Sequence, residues 1–458
     1  MSDNLFDKLK SYAGGGTYPM HMPGHKRNTS LLGNELPYGI DITEITGFDD
    51  LHNAHGVIDG IQQRLAHFYG AKKSFLLVNG STCGIMAAVV SLCSFGDKII
   101  AARNCHKSVY KAIELYGLTP VWLYPDTDLR TGICGAITAQ SVEEAIKNDP
   151  DAKMVIVTSP TYEGIISDIR AISKVCGKYS VPLLCDMAHG AHLPLFEGYD
   201  TAFGADIEVT SLHKTLPCLT QTSCANIRSD SIDCGRFASA LGMFESSSPS
   251  YVLMASADRC AELIMSKGKE LAEAHMKRIE SFEKSVVGMT KLRLLRCKGS
   301  DRSRIVIDCA DTNICGAELF ALLRDKYSIE CEMASARYIA AITSICDTDE
   351  GVARFAKALC DTDAALVYRH ADDIPVSERA ETVLTAYNAV RGKKRFEDTD
   401  RSVGAVCGEY IWAYPPGIPI AVLGERITQN TVRLIKHMRN SGLNVISESK
   451  DKITVIDI

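Results

Sequence analysis

The chain has 458 residues, of which 46% are hydrophobic and 23% are charged, and its 50 basic and 56 acidic side chains give a net charge of −6. These values are ordinary for a globular protein, and a chain of this length is expected to fold as two or three lobes. No dense Lys/Arg block occurs in the sequence, which argues against nucleic acid as a partner.

The N-terminus and the cysteines indicate the compartment. Asp3 and Asp7 lie where a signal peptide needs a basic flank and an apolar core. The longest apolar runs, such as IMAAVV, are far shorter than the roughly 20 residues of a membrane span. The 17 cysteines are odd in number and include no Cys-x-x-Cys pair, which argues against a zinc ribbon or a disulfide scaffold. We therefore expect a cytoplasmic protein without a membrane partner.

Between about residues 70 and 215, short apolar runs alternate with helix-like stretches. These runs are SFLLV (74–78), KIIAA (98–102), PVWLY (120–124), KMVIVT (153–158), PLLC (182–185) and IEVT (207–210). Apolar runs that are bounded by turns and separated by helices are typical of a mostly parallel sheet with helices on both faces. The pattern predicts an α/β domain.

The remainder of the chain predicts a connector and a smaller domain. A long helical stretch from about 252 to 287 is followed by strand-like runs at 292–296 and 304–309 and by helices at 316–327 and 432–439. YPPGIP (414–419) predicts a rigid extended turn, because its prolines fix φ and remove donors. We therefore divide the chain into an N-terminal arm (1–30), a large domain that includes the connector helix (31–290) and a small α+β C-terminal domain (291–458).

Polar residues follow five of the predicted strands. In an open parallel sheet, ligands bind beyond the carboxyl ends of the strands, so these positions are candidates for a site. They are Asn79–Thr82, Arg103–His106, Ser159–Tyr162, Asp186–His189 and Ser211–Lys214.

Taken singly, most of these residues have a structural reading as well as a functional one. NGSTCG is a turn that opens a helix and suits a phosphate, but Ser and Thr are also routine N-caps. His106 is either a neighbour of an N-cap or a group that stacks on a ring, and Asp186 is either a helix cap or the partner of a buried cation. His189 and His192 have the spacing of a metal pair, but the sequence shows no third ligand, so we expect no metal.

Lys214 favours the functional reading. It lies among the apolar residues Ile207, Val209, Leu212 and Leu216, where an amine loses its charge more readily and becomes a nucleophile towards an aldehyde. A phosphate cradle, an amine, an acid for a pyridine nitrogen and a flat group over a ring are together what pyridoxal phosphate requires.

Nine motifs in order along the chain resemble the Orn/Lys/Arg decarboxylases. They are HMPGHK, GFDDLHNAHGVI, NGST, RNCHKSV, SPTYEGIISDI, DMAHGAHL, SLHKTLPCLTQT, SSSPSY and YPPGIP. The resemblance is to the short form of the family, which lacks the N-terminal wing domain of the long enzymes. It implies the aspartate-aminotransferase fold (fold type I) for the large domain.

The resemblance also implies a role for individual residues. Lys214 would bind the cofactor covalently, Asp186 would pair with the pyridine nitrogen, and His106 and Ala188 would contact the two faces of the ring. The residues expected to hold the phosphate are Ser81, Thr82, Ser211, His213 and, from the neighbouring subunit, Ser247 of SSSPSY (246–251). A homodimer or higher homo-oligomer with shared active sites is therefore expected, and the HMPGHK arm would contribute to its packing.

Two positions depart from the family pattern. Met187 occupies a place that is usually acidic, which leaves the substrate or dimer contacts near it open. Arg27 and Asn28 follow PGHK, where the family often continues towards Gly, so the path of the arm is also open.

The implied activity is the decarboxylation of a basic L-amino acid to an amine and CO₂, with His213 or Lys214 returning a proton to Cα. Arginine is the favoured substrate, followed closely by lysine and ornithine, and polyamine biosynthesis is the favoured role. Glu409 is the candidate partner of the substrate's cationic side chain, with Asp49 and Asp50 as alternatives; each could instead be a surface or interface acid. The competing interpretations are an aminotransferase or lyase on the same fold and a non-catalytic regulatory pseudoenzyme.

Overall fold

The structure is a computed structural model that describes residues 4–370, 372–413 and 418–457. Its α-helices are α1 (Leu5–Gly14), α2 (Thr29–Leu32), α3 (Val57–Tyr69), α4 (Gly80–Leu92), α5 (Lys107–Leu115), α6 (Ala139–Asn148), α7 (Ile169–Lys178), α8 (Leu212–Thr215), α9 (Cys234–Phe244), α10 (Tyr251–Val286), α11 (Gly316–Tyr327), α12 (Asp349–Ala365), α13 (Ala386–Arg391) and α14 (Gln429–Asn440).

The strands are β1 (Lys73–Leu77), β2 (Lys98–Ala102), β3 (Thr119–Leu123), β4 (Val155–Thr158), β5 (Leu183–Asp186), β6 (Ile207–Thr210), β7 (Ser223–Ile227), β8 (Arg293–Leu295), β9 (Arg304–Asp308), β10 (Met333–Ala334), β11 (Tyr338–Ile342), β12 (Lys394–Asp398), β13 (Val406–Cys407), β14 (Ile411–Ala413), β15 (Ile418–Ala421), β16 (Val445–Ile446) and β17 (Lys452–Ile456).

The chain divides into two compact units. The first comprises Met1–Ser91, Leu184–Asp200 and Gly204–Ala272, and the second comprises Leu92–Leu183, Thr201–Phe203 and Glu273–Ile458. Within the described part of the chain, no helix combines the length and the apolar character needed to cross a membrane.

In the first unit, four strands are neighbours in one sheet in the order β1, β7, β6, β5. β5 and β6 run parallel, whereas β7 is antiparallel to both β6 and β1. Because β7 returns antiparallel beside β6, the connection between them is the short segment 211–222 rather than a crossover helix. That segment contains Lys214.

Close packing fixes helix α4 against this sheet. A Cβ at Gly84 would lie 2.7 Å from Cδ1 of Leu77 in β1 and 3.1 Å from Cγ1 of Val209 in β6. Only glycine permits so close an approach without displacing its neighbours. The N-terminus of α4 is thereby held beside the carboxyl ends of these two strands.

In the second unit, β4, β2 and β3 run parallel in that order. The remaining strands form three antiparallel sheets, in the orders β10-β11-β9-β8, β12-β17-β13 and β15-β14-β16. α11 and α12 share a core with the first of these, which includes the buried residues Ile307, Leu319, Ile339 and Leu359. The predicted mostly parallel α/β architecture, with a smaller α+β part, is confirmed.

Several element boundaries follow from local chemistry. The long helix predicted from about 252 to 287 is observed as Tyr251–Val286. The last predicted helix begins earlier than expected, at Gln429, because the Thr428 side chain accepts a hydrogen bond from the backbone N–H of Thr431. Of the predicted YPPGIP turn, residues 414–417 lie outside the described residues.

Candidate functional site

Lys214 lies in the single helical turn α8, directly after strand β6. Its apolar neighbours Ile207, Val209 and Leu212 are at most 1% exposed, and its own side chain is half-buried. Nζ of Lys214 lies 2.9 Å from Nε2 of His189. The neighbours of Lys214 in sequence are therefore buried, and its amine makes a specific polar contact.

Asp186 ends strand β5, the parallel neighbour of β6, and is 2% exposed. Its Oδ1 accepts a hydrogen bond of 3.1 Å from the backbone N–H of Ala188. Burial raises the pKa of Asp186, and the positive charge of Lys214 opposes this shift. A cation placed against this carboxylate would stabilise its ionised form in the same way.

His189 is a functional candidate for which the sequence indicated no role towards Lys214. The structure places its ring, 5% exposed, against the amine of Lys214. The described residues contain no group of three or more His, Cys, Asp and Glu side chains arranged to bind a metal. The His189–Lys214 contact follows from the pairing of β5 with β6, because the segments after two neighbouring parallel strands meet at one edge of the sheet. A prediction of that strand order would have revealed it.

The NGST turn meets the Lys214 segment through two hydroxyl groups. Oγ of Ser211 donates a 3.0 Å hydrogen bond to Oγ of Ser81. α4 starts at Gly80, whose φ of +76° lies in the left-handed region that favours glycine. Ser81 and the exposed Thr82 form the first turn of α4, where helix N–H groups and hydroxyls suit an anion.

His213 is oriented by the residue that directly precedes strand β7. Its Nδ1 lies 2.9 Å from the carbonyl oxygen of Thr222. Because a carbonyl only accepts, Nδ1 carries the proton in this arrangement. Burial lowers the pKa of His213, while the Thr222 carbonyl opposes this shift.

The SSSPSY segment contacts the GFDDLHNAHGVI motif. Nε2 of His52 lies 2.8 Å from the carbonyl oxygen of Ser246, and the Tyr251 hydroxyl donates a 2.6 Å hydrogen bond to the carbonyl oxygen of Asp49. Ser247 lies between these contacts and is exposed. The two motifs therefore form one anchored surface element.

Asp49 is fully engaged by backbone donors. Its Oδ1 accepts hydrogen bonds from the N–H groups of Asp50 (3.0 Å) and His55 (3.1 Å), and its Oδ2 accepts from Gly56 (2.8 Å) and Ile58 (2.9 Å). Burial alone would raise the pKa of Asp49, but these donors outweigh it and lower the pKa. This arrangement is that of a structural carboxylate.

Two of the predicted site residues, His106 and Glu409, belong to the second unit. His106 caps α5, and its Nδ1 lies 2.9 Å from Oγ of Ser108. Glu409 is 4% exposed and accepts hydrogen bonds from the backbone N–H groups of Glu448 (2.5 Å) and Thr454 (2.7 Å). Burial raises the pKa of Glu409.

Met187 is completely buried, and its backbone N–H donates a 2.8 Å hydrogen bond to the carbonyl oxygen of Val209. An acidic side chain at this position would be buried in the same place and would require a partner of its own. Methionine avoids that requirement in this chain.

The donor set of the first unit fits pyridoxal phosphate. It offers a half-buried amine, a buried carboxylate within electrostatic reach of that amine, and a hydroxyl pair at a helix N-terminus. These groups match an aldehyde, a pyridine nitrogen and a phosphate respectively.

Comparison with known proteins agrees with this chemistry. The family model described as Orn/Lys/Arg decarboxylase, major domain, matches residues 3–304. The chain belongs to the Orn/Lys/Arg decarboxylase family. An arginine decarboxylase from Halalkalibacterium halodurans is 32% identical over 99% of this chain and 97% of its own length. An arginine decarboxylase from Bacillus subtilis is 30% identical over 96% of this chain and 94% of its own length.

The fold of this Orn/Lys/Arg decarboxylase family member also occurs in solved structures. The lysine decarboxylase of Francisella novicida matches with a TM-score of 0.86 over 99% of this chain and 81% of that one, at 18% identity. The predicted family, the fold type I architecture and the enzyme class, a pyridoxal phosphate-dependent amino-acid decarboxylase (carboxy-lyase), are confirmed.

Proposed function

We propose that the protein decarboxylates a basic L-amino acid, with arginine as the favoured substrate and lysine and ornithine next, and that it uses pyridoxal phosphate bound at Lys214. The observation that carries this proposal is the position of Nζ of Lys214, 2.9 Å from Nε2 of His189 and within the electrostatic reach of the buried Asp186.

Each of the chain's own groups has a separate role in the proposed reaction. When bound, pyridoxal phosphate supplies a ring that accepts the electron pair left by the departing carboxylate. Lys214 provides the nucleophilic amine and gives way to the amino group of the substrate. Asp186 holds a positive charge at the pyridine nitrogen by its own negative charge. Ser81, Thr82 and Ser211 provide donors for the phosphate.

Proton return to Cα requires a donor close to the amine. Lys214 and His213 are the proposed donors, because they are adjacent in α8. Nδ1–H of His213 is directed at the Thr222 carbonyl, so His213 donates only from Nε2, and only after that nitrogen has itself taken up a proton. In this proposal His106 and Ala188 contact the two faces of the ring. His189 orients the amine of Lys214.

Arginine is favoured because two of the relatives that match nearly the whole chain are named arginine decarboxylases. Glu409 remains the proposed partner of the cationic side chain. Its carboxylate already accepts two backbone hydrogen bonds, but an ionised carboxylate has about four lone-pair sites.

Assembly and physiological role belong to the same proposal. We infer a homodimer or higher homo-oligomer in which Ser247 reaches the neighbouring subunit's phosphate, a cytoplasmic location, and a role in polyamine biosynthesis. The division into an arm (1–30), a large domain (31–290) and a small domain (291–458) accompanies this proposal.

The test is a product assay on the purified protein loaded with pyridoxal phosphate. CO₂ and amine are measured separately from arginine, lysine and ornithine, and the expected order of kcat/KM is arginine first. Keto-acid formation without CO₂ would favour an aminotransferase, and cofactor binding without turnover of any of the three would favour a pseudoenzyme.

A matched pair of lysine variants locates the chemistry. Lys214→Ala is expected to abolish both CO₂ release and the visible absorbance of lysine-bound cofactor. Lys72→Ala, which removes an exposed lysine paired with Asp230, is expected to change neither. Decarboxylation retained in Lys214→Ala would overturn the assignment.

A further inference from the structure

Glu245 is a half-buried carboxyl group that the proposed chemistry does not use. It follows the last residue of α9 and precedes the SSSPSY segment. Burial raises the pKa of Glu245. A carboxyl group in such a position requires partners, and its partners lie in the NGST turn.

The Glu245 side chain binds the backbone of that turn. Its Oε1 accepts a 2.8 Å hydrogen bond from the N–H of Val78 and a 3.3 Å hydrogen bond from the N–H of Asn79. The thiol of Cys83 lies 3.5 Å from the same oxygen. A second hydrogen bond joins the same two segments: Nδ2 of Asn79 in the turn donates to the carbonyl oxygen of Phe244, at 3.1 Å.

The next N–H group of the turn is also engaged. Gly80 N–H donates a 2.9 Å hydrogen bond to the carbonyl oxygen of Gln221. Three successive N–H groups, of Val78, Asn79 and Gly80, therefore have acceptors within the chain. Their orientation fixes where the backbone enters α4, and hence where the donors of Ser81 and Thr82 point.

We propose that Glu245 is a positioning residue for the cofactor phosphate, which it orders through the backbone of residues 78–80 without touching the phosphate itself. This inference depends on the proposed function, because it takes Ser81 and Thr82 as the phosphate donors. Glu245 is also covalently adjacent to Ser246, whose carbonyl oxygen contacts His52. Glu245 thus connects the NGST turn to the segment that contains Ser247.

Acceptor geometry, rather than negative charge, is the property that this role needs. A charge beside a phosphate group would repel it, whereas a neutral oxygen in the same place still accepts the N–H groups of Val78 and Asn79. Glutamine retains such an oxygen and alanine does not. The pair Glu245→Gln and Glu245→Ala therefore separates the two properties.

The experiment measures the dissociation constants of pyridoxal phosphate and of pyridoxal, which lacks the phosphate, by absorbance titration of the apoprotein. For Glu245→Ala we expect the constant for pyridoxal phosphate to rise about 10-fold or more, with the constant for pyridoxal changed less than twofold. For Glu245→Gln we expect both constants to stay within about threefold of the wild type.

Asp233→Ala is the matched control for loss of a capping carboxylate on the same helix. Oδ1 of Asp233 accepts hydrogen bonds from the N–H groups of Gly235 (2.8 Å) and Arg236 (3.0 Å) at the opposite end of α9. This variant is expected to lower the melting temperature without changing either dissociation constant. A rise in the constant for pyridoxal phosphate as large as in Glu245→Ala would overturn the inference, because α9 stability alone would then explain the effect.

The two proposals fail in different ways. If the wild type binds pyridoxal phosphate at Lys214 but Glu245→Ala leaves its affinity unchanged, or weakens pyridoxal equally, only the role of Glu245 is wrong. If the wild type forms no absorbing complex with pyridoxal phosphate, the proposed function is wrong and the role of Glu245 falls with it.

Discussion

Nε2 of His189 and Nζ of Lys214 are 2.9 Å apart, at the ends of two neighbouring parallel strands. When the amine is protonated it can only donate, so Nε2 accepts and the imidazole proton lies on Nδ1. The ring thus selects one orientation of the lysine side chain. We expect this contact to control how readily Lys214 exchanges with a substrate amine.

His189→Phe keeps an aromatic ring but removes the acceptor. We expect kcat to fall about 10- to 100-fold, because the loss of a hydrogen bond to a charged group has a free-energy cost of that size. The rate at which the cofactor attaches to Lys214 should fall as well. Steady-state kinetics and stopped-flow absorbance measure the two effects. His67→Asn, which changes an exposed histidine of α3, serves as the control; unchanged attachment in His189→Phe would contradict this role.

Asp186→Asn is expected to separate activity from stability. Because burial raises the pKa of Asp186 above its unfolded value of 3.8, ionisation destabilises the folded apoprotein. This cost is absent below the unfolded pKa and grows as the pH rises through the folded pKa. The variant should therefore unfold at higher urea than the wild-type apoprotein at pH 7, and the gain should vanish below about pH 4.

The same substitution removes the negative charge that we propose pairs with the pyridine nitrogen. We expect kcat of the loaded enzyme to fall on the order of 100-fold or more, while the Ala188 N–H keeps an amide oxygen as its acceptor. A variant that is both less stable at pH 7 and fully active would refute both expectations.

Asp49→Asn is expected to destabilise the protein without changing substrate selection. An amide has one acceptor oxygen, whereas the Asp49 carboxylate uses two oxygens for five backbone donors, so we expect a loss of about 1–3 kcal/mol. Since the pKa of Asp49 is lowered, its contribution is present above the unfolded value of 3.8 and is lost as the pH falls through the folded pKa. Urea denaturation at several pH values tests this, and a selective rise in KM for arginine would instead support the alternative of Asp49 as a substrate partner.

Arg103 and Glu425 form a buried ion pair whose rupture should be costly. Nη2 of Arg103 lies 3.1 Å from Oε2 of Glu425, and both side chains are 5% exposed. Burial raises the pKa of Glu425 and the charge of Arg103 opposes this shift. Arg103→Met leaves a buried carboxylate without its cation, and we expect a loss of about 3–5 kcal/mol in unfolding free energy.

The double variant Arg103→Met/Glu425→Gln is the appropriate control for that loss. It removes both charges and should recover part of the stability, since the cost lies mainly in the unpaired ion. Denaturant unfolding of the single and double variants gives the coupling between them. Additive losses would mean that the two side chains act independently.

Local sequence was sufficient for the alternation of strands and helices and for the burial of Ile207, Val209 and Leu212. It was not sufficient for contacts that depend on the order of strands in the sheet. His189 meets Lys214 because β5 lies beside β6, and sequence spacing alone suggested a metal pair with His192 instead. Arg103 was one polar residue among many at the strand ends, and its salt bridge to Glu425 joins positions far apart in the chain.

Carboxylates were the hardest residues to interpret from sequence. Asp49 and Glu409 were both candidates for binding a cationic substrate, yet both accept hydrogen bonds from backbone N–H groups. Nothing near Glu245 in sequence indicates that the backbone of residues 78 and 79 binds its side chain. Such contacts arise from tertiary packing. The spacing of apolar residues, with a period of 2 in strands and 3.6 in helices, does not encode them.

The antiparallel strand β7 also sets the order in which this half of the molecule can assemble. β6 and β7 are joined by a short segment, so their pairing is local, whereas Lys73 of β1 pairs with the distant Ile227 of β7. Pairings between distant residues form slowly, because a long loop must close first. On the ribosome, β1 is synthesised early but waits for β7 to emerge before it gains its partner. The hydrogen bond between Ser81 and Ser211 therefore forms at a late stage of folding. Any binding of the cofactor by these two residues has to follow it.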